Sequence, residues 1–253
     1  MFEEKESAAC KEWRYKIGVI YIASSTVLER EWKLVLPCDV SFHIARIRLK
    51  GAEATKEAIW NMVSSEQIEQ AAQKLSEANV DVIAFACTIG SLIGGLGWDE
   101  LLIKRIEKIS GIAATTTSTE VINALKTIGC RYITVVTPYI DELNVLEKRF
   151  LESQGFKVLN IEGFKKKYDQ EIAEITPNEI CNLAKEIDTS ESNCIFLSCT
   201  NMRSLEPIIT LEKDLGKPVI SSNSATLWGC LKKIGYKGYV KGYGVLLEKY
   251  LGK

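Results

Sequence analysis

Two stretches far apart in the chain carry the same pattern. VDVIAFACTIGS at 80–91 and NCIFLSCTN at 193–201 each run from a short apolar segment, rich in β-branched residues, into cysteine and threonine. An apolar run of that length bounded by polar turns reads as a strand buried on both faces, which places it in a parallel sheet covered by helices. Parallel strands need crossovers, and the sequence supplies them. The first half predicts strand 16–23, helix 27–36, strand 40–49, helix 65–78, the strand ending at Cys87, a glycine-rich loop, helix 98–109 and a short strand at 111–116. The second half starts again with strand 131–138, helix 141–154, strand 157–161, a helix to Ile187, the strand ending at Cys199, a helix to Leu215 and strand 218–221. Thr176, Pro177 and Glu179 read as a capping box with proline at the first helical position of the helix before Cys199.

Residues repeat along with elements. Arg14-Tyr15 opens the first half and Arg131-Tyr132 the second. Ala86-Cys87-Thr88 matches Ser198-Cys199-Thr200, and LKTIG at 125–129 matches LKKIG at 231–235. Each half ends in a short strand running into hydroxyls, 115–119 and 221–224, where a helix begins. An internal duplication follows: an α/β protein of two pseudo-symmetric lobes, each a parallel sheet flanked by helices, with the active site in the cleft between them. The first lobe takes residues 1–117 completed by 224–253, the second residues 118–223.

Composition excludes several classes. With 32 basic and 33 acidic residues mixed along the chain, the net charge is −1 and no basic stripe offers itself to nucleic acid. No apolar run is long enough to span a bilayer, and the opening MFEEKESAACKEW is charged where a signal peptide is apolar, so a cytoplasmic protein is expected. Eight cysteines without a CxxC pair, and a single histidine, do not assemble a zinc site; in a reducing compartment they should mostly be free thiols.

In open α/β sheets ligands sit at the carboxyl edge of the strands. Cys87 and Cys199, each ending a strand of its own lobe, would then face one ligand from opposite sides, one acting as base or nucleophile while the other donates a proton. Nearby N–H groups and helix N-termini favour both a thiolate and a bound carboxylate. Hydroxyls and amides at Ser24, Ser25, Thr26, Thr88, Ser91, Thr200, Asn201, Ser222 and Asn223 would hold carboxylate oxygens.

ACTIGS at 86–91, VTPYIDELN at 136–144, LSCTNMRS at 197–204 and VISSNSATLW at 219–228 together resemble the aspartate/glutamate racemase superfamily, in its maleate cis-trans isomerase and arylmalonate decarboxylase branch. The resemblance runs from about Tyr15 to Gly235. It implies addition of Cys87 to a cis double bond, rotation about the resulting single bond, and elimination with Cys199 handling the proton. It also implies carboxylate binding by Tyr139 and Asn201, no cofactor, and a homodimer. Decarboxylases of this branch lack the first cysteine, so Cys87 argues for two-thiol chemistry. One position departs: such isomerases read Ser-Ser-Asn after the first strand, and this chain has Ser24, Ser25 and Thr26, a single hydroxyl donor in place of an amide with two. An amino-acid racemase, a decarboxylase using Cys199, and a carboxylate-binding protein without turnover are the alternatives.

Blander readings apply elsewhere. A cysteine ending a buried strand is by itself usually structural, and it is the symmetric pairing of Cys87 with Cys199 that points to chemistry. Cys10, Cys38, Cys130, Cys181, Cys194 and Cys230 have no such placement and read as core or surface thiols. His43 reads as a packed residue, GSLIGGLG at 90–97 as a flexible loop without a phosphate-binding lysine, Ser118 and Ser224 as helix caps, and Lys165 to Lys167 as a solvated charge cluster.

Overall fold

The computed structural model describes residues 14–252. In chain order the first half forms β1 (Tyr15–Ile22), α1 (Val27–Val35), β2 (Val40–Ile47), a 3-10 turn (Lys50–Ala52), α2 (Lys56–Val63), α3 (Gln67–Glu77), β3 (Val82–Ala86), α4 (Thr88–Leu92), α5 (Trp98–Ser110), β4 (Ala114–Thr116) and α6 (Thr117–Ile128). The second half forms β5 (Tyr132–Thr137), α7 (Asp141–Ser153), β6 (Lys157–Gly163), α8 (Asp169–Glu174), α9 (Pro177–Ile187), β7 (Cys194–Leu197), α10 (Ile208–Leu215), β8 (Val219–Ser221), α11 (Ser222–Lys233) and α12 (Val245–Lys249).

The strands make two four-stranded parallel sheets with the same order, β2-β1-β3-β4 and β6-β5-β7-β8. The duplication therefore holds at the level of topology. In both sheets the chain steps from the first strand to one side and then crosses to the other, so the switch point lies between β1 and β3 and between β5 and β7. A crevice opens outside the carboxyl ends of strands at such a point, because the two following loops are led apart. Every residue of β3 and of β7 is buried, as the apolar runs require.

Both of these strands stop one or two residues before their cysteine, shorter than the sequence runs suggest. Four further helices, α2, α4, α8 and α12, emerge where no periodicity announced them; at five to eight residues each is too short to show a stable apolar stripe, and α4 turns the buried start of the stretch 90–97, expected as a flexible loop, into helix. The capping box of α9 forms as expected, with the Glu179 N–H donating to the Thr176 hydroxyl and the Glu179 carboxylate accepting from the Thr176 N–H. The caps of α6 and α11 are Thr116 and Ser221 rather than Ser118 and Ser224. Ser224 stands two residues inside its helix and completes a box with Ser221, while Ser118 donates to the Ser91 carbonyl at 2.9 Å. His43 is half-buried on β2, with Nε2 3.1 Å from the Ser41 hydroxyl. Cys38 is disulfide-bonded, against the expectation of free thiols, whereas Cys130, Cys181, Cys194 and Cys230 are free and buried. Cys10 and the charged opening segment lie outside the described residues. No helix among those described is long and apolar enough to cross a membrane.

Helices α6 and α11 start from the last strand of each sheet and pack against each other, α6 also reaching β8 and α11 reaching β3 and β4. We propose on this basis that the first lobe ends near residue 117 and is completed from 224 onward. The two helices touch closely: a Cβ at Gly229 would lie 2.2 Å from the Glu120 side chain, and the Thr226 hydroxyl donates to that of Thr117 at 3.0 Å. Glu120 cannot yield easily, since it is buried and held by the hydroxyl of Thr115 and the amide of Asn123. Gly229→Ala is expected to lower stability by about 1–3 kcal/mol through overpacking, read as a reduced urea midpoint with unchanged slope.

Candidate active site

Four loops at the carboxyl edges meet between the sheets. The loop after β1 brings Ser24 to Thr26, and the loop after β3 brings Cys87 and Thr88. Those after β5 and β7 bring Tyr139 and Cys199 to Asn201. They enclose a cavity of about 20 Å³. Its lining includes Ser25, Cys87, Thr88, Tyr139, Asp169, Cys199, Thr200 and Asn201, together with the apolar Ile22, Leu49, Ala54, Ile59, Ile89 and Ile172. That is room for about one water. Entry of any organic acid requires the walls to part; at one side the lobes meet in an isolated antiparallel bridge between Glu53 and Tyr168 and a 2.7 Å bond from the Ala54 N–H to the Lys167 carbonyl.

The two sulfurs are held differently despite the repeat. Cys87 caps α4 from its N-terminus, Sγ accepting from the Gly90 N–H at 3.3 Å. Residue 90 has to be glycine, because a Cβ there would stand 2.8 Å from that sulfur. Cys199 begins no helix. Its φ of 131° lies in a region that L side chains rarely occupy, and Sγ accepts from the Asn201 N–H at 3.3 Å. Strain of this kind persists only where neighbours over-determine it. Here the Ser198 N–H is bound to the Val136 carbonyl at 2.8 Å and the Cys199 N–H to the Ser222 hydroxyl at 3.0 Å.

Electrostatics run against the sequence-based expectation of ready thiolates. Burial pushes both thiols up to about 12, and the N–H donors, with the Tyr139 hydroxyl at Cys199, only partly oppose it. In the closed site both are neutral, and Tyr139 is likewise held neutral by burial. Directly behind Cys199 the Ser198 hydroxyl donates to Glu147 at 2.5 Å; burial raises this carboxyl to about 7, and its second oxygen has no hydrogen-bond partner.

The polar residues singled out in the sequence fall into three groups. Ser25, Thr88, Tyr139, Thr200 and Asn201 line the cavity with the two cysteines. Ser24 reaches it indirectly, donating to Asp169 at 2.5 Å beside Ser25 at 2.9 Å. Ser91, Ser222 and Asn223 stand behind it as scaffold. Ser222 joins the Thr88 hydroxyl at 2.9 Å to the Cys199 N–H, Ser91 receives the Ser118 N–H at 3.0 Å, and Asn223 donates to Glu31 at 2.6 Å. The Thr26 side chain is exposed and outside the lining. Asn201 is mostly committed to structure: Oδ1 accepts from the Thr26 and Val27 N–H groups at 2.9 and 3.2 Å, and Nδ2 donates to the Asp169 carbonyl at 2.7 Å.

Sequence reading missed Asp169 and the apolar roof. Asp169 sits in a run of charged residues that reads as solvated surface, and only its position opposite Ser24 in the repeat architecture could have flagged it.

Fold and site together define a two-lobed α/β protein with a thiol on each wall of one cleft. The family model for arylmalonate decarboxylase matches residues 34–247, and the chain belongs to that family. It is 28% identical over 248 residues to the maleate isomerase of Geobacillus stearothermophilus, covering 92% of this chain and 97% of that protein. It is also 28% identical over 190 residues to the arylmalonate decarboxylase of Bordetella bronchiseptica, covering 73% and 78%. Among solved structures, a cysteine-to-alanine variant of the maleate isomerase of Pseudomonas putida S16 with maleate superposes with a TM-score of 0.88 at 25% identity, covering 94% of this chain and 99% of that one.

Two outcomes follow from the geometry. Cys199→Gly is expected to be more stable than Cys199→Ala by about 1–3 kcal/mol in urea unfolding, because glycine adopts the positive φ without strain. For Glu147, a carboxyl held at about 7 in the folded state and near 4.5 in the unfolded one contributes stability that is complete below pH 4.5 and lost as pH rises through 7. Glu147→Gln should therefore gain in melting temperature on the wild type between pH 5 and pH 8, and parallel pH profiles would show the carboxyl to be unshifted.

Proposed function

We propose that the protein is a cofactor-independent cis-trans isomerase of a small unsaturated carboxylate of the maleate type. The observation that carries this is the lining of one buried cavity by two thiols from opposite lobes, and the maleate isomerase relatives along nearly the whole chain support it. A single thiol would serve a decarboxylase; the second, Cys87, is what an addition and elimination sequence needs.

In this reading the lobes part to admit the acid, water briefly solvates the sulfurs, and one becomes ionised. Loss of the burial penalty brings a thiol back toward its ordinary value near 8.5, and the Gly90 N–H or the Asn201 N–H then stabilises the anion. The Cys87 thiolate adds to one alkene carbon, forming a C–S bond. The π electrons take up a proton from Cys199 at the neighbouring carbon. The former double bond is now single and rotates. Cys199 as thiolate removes that proton, the C–S pair returns to Cys87, and the trans alkene leaves. Electrons and protons balance with no redox partner. Tyr139, Thr88 and Thr200 line the wall where a carboxylate can sit, and closure of the cleft keeps water from protonating the adduct. Cytoplasmic residence, read from the charged opening segment and the want of a long apolar run, and a homodimer, carried by the resemblance alone, are part of the same reading.

Cys87→Ala and Cys199→Ala should each lower turnover at least a thousandfold while retaining the wild-type circular dichroism spectrum. Proton NMR of the cis acid in deuterated water reads the vinyl protons directly: wild type converts cis to trans. Full activity in either variant would sink the two-thiol scheme. Release of carbon dioxide from an arylmalonate that survives Cys87→Gly would favour the decarboxylase instead.

A further inference from the structure

Asp169 stands where a substrate carboxylate would be expected. It is buried, it lines the same cavity as both cysteines, and its Oδ2 accepts both hydroxyls that follow β1, from Ser24 at 2.5 Å and Ser25 at 2.9 Å. Its backbone is pinned as well, the carbonyl accepting from Asn201 Nδ2 at 2.7 Å. The first-lobe donors are thus already used by the protein's own carboxylate. No lysine or arginine is among the lining residues to compensate a further negative charge, and the rest of that wall is apolar, with Ile22, Leu49, Ala54 and Ile172. A dianion would put its second carboxylate against Asp169 in a medium of low polarity, where like charges repel strongly and an acceptor meets an acceptor. Both hydroxyls go to Oδ2 and none of the described residues donates to Oδ1 of Asp169, so what that corner can satisfy is a donor.

We infer that Asp169 determines the charge of the substrate: the site takes a cis-unsaturated acid with one carboxylate, held on the Tyr139 side, and a hydrogen-bond-donating end, a primary carboxamide, held by Asp169. The inference deepens the isomerase reading and rests on it for the reacting double bond, but the recognition it describes is a matter of binding alone. The monoamide of maleic acid has this pattern, with one charge, a double bond between the two ends and two N–H donors on the neutral end. Recognition by a buried acceptor discriminates sharply, because the wrong partner leaves buried polar groups unpaired.

The test uses the saturated analogues succinamate and succinate, which bind without reacting, titrated into the full-length protein by calorimetry at pH 7.5. Wild type should bind succinamate at least tenfold more tightly than succinate. Asp169→Asn, which replaces the anionic acceptor by an amide that can donate, should reverse that order. The inference is overturned if wild type binds succinate as tightly as succinamate, if it binds neither, or if Asp169→Asn strengthens both ligands alike, which would make Asp169 a plug displaced by any acid. The wild-type comparison stands even where the variant does not fold. Conversion of cis acid to trans is followed separately by NMR with maleate and its monoamide. Absence of turnover with both, alongside the expected binding order, removes the isomerase reading and leaves the recognition by Asp169 in place.

Discussion

The joint between the two carboxyl edges is what everything else leans on. Loops at the ends of parallel strands expose N–H and C=O groups, and two such edges can face each other out of water only if each edge satisfies the other. They do so here through a handful of bonds that cross the repeat. The Thr200 hydroxyl donates to the Ala86 carbonyl at 3.2 Å, the Thr200 carbonyl accepts from the Tyr21 hydroxyl at 3.1 Å, and the Tyr21 oxygen accepts from the Leu28 N–H at 3.3 Å. Ser222 ties the Thr88 hydroxyl to the Cys199 N–H, and Asn201 caps α1 of the other lobe. Each cysteine is therefore positioned in part by the lobe it does not belong to.

A dry joint has electrostatic consequences. The same burial that orders the loops raises both thiols, Tyr21, Tyr139, Glu31, Glu147 and Asp169 above their ordinary values. In this closed arrangement both thiols are protonated and the chamber between them is no larger than a water. Where the lobes meet beside this chamber, an isolated bridge joins Glu53 to Tyr168, with exposed ion pairing of Lys167 and Glu53. Positive φ at Cys199 and an unpartnered Glu147 oxygen behind it are local costs concentrated at the site, the usual exchange of stability for a positioned functional group.

The two lobes repeat one strand order, and their differences mark where the site is asymmetric. Cys87 starts a helix and receives an N–H three residues on; Cys199 starts a turn and receives one two residues on. The loop after β1 presents two serines, while the matching loop after β5 presents Tyr139. The two walls of the cavity therefore offer donors of different reach.

Strand identity, the parallel class, the duplication and the two cysteine positions were all legible in the sequence, because a strand buried on both faces has no polar alternation to disguise it and because ACT and SCT recur in matching places. The capping box at Thr176 was legible for a similar reason, being a contact between near neighbours. Short helices such as α8 were not, since six residues carry no periodicity. Nor were the true caps of α6 and α11, where several hydroxyls compete and local geometry selects one. The burial that keeps the thiols neutral and the placement of Asp169 were decided only by tertiary structure. Sequence shows that a group can titrate or accept a hydrogen bond, but how much water surrounds it, and which hydroxyls from the other lobe reach it, depend on segments more than a hundred residues apart closing over one cavity.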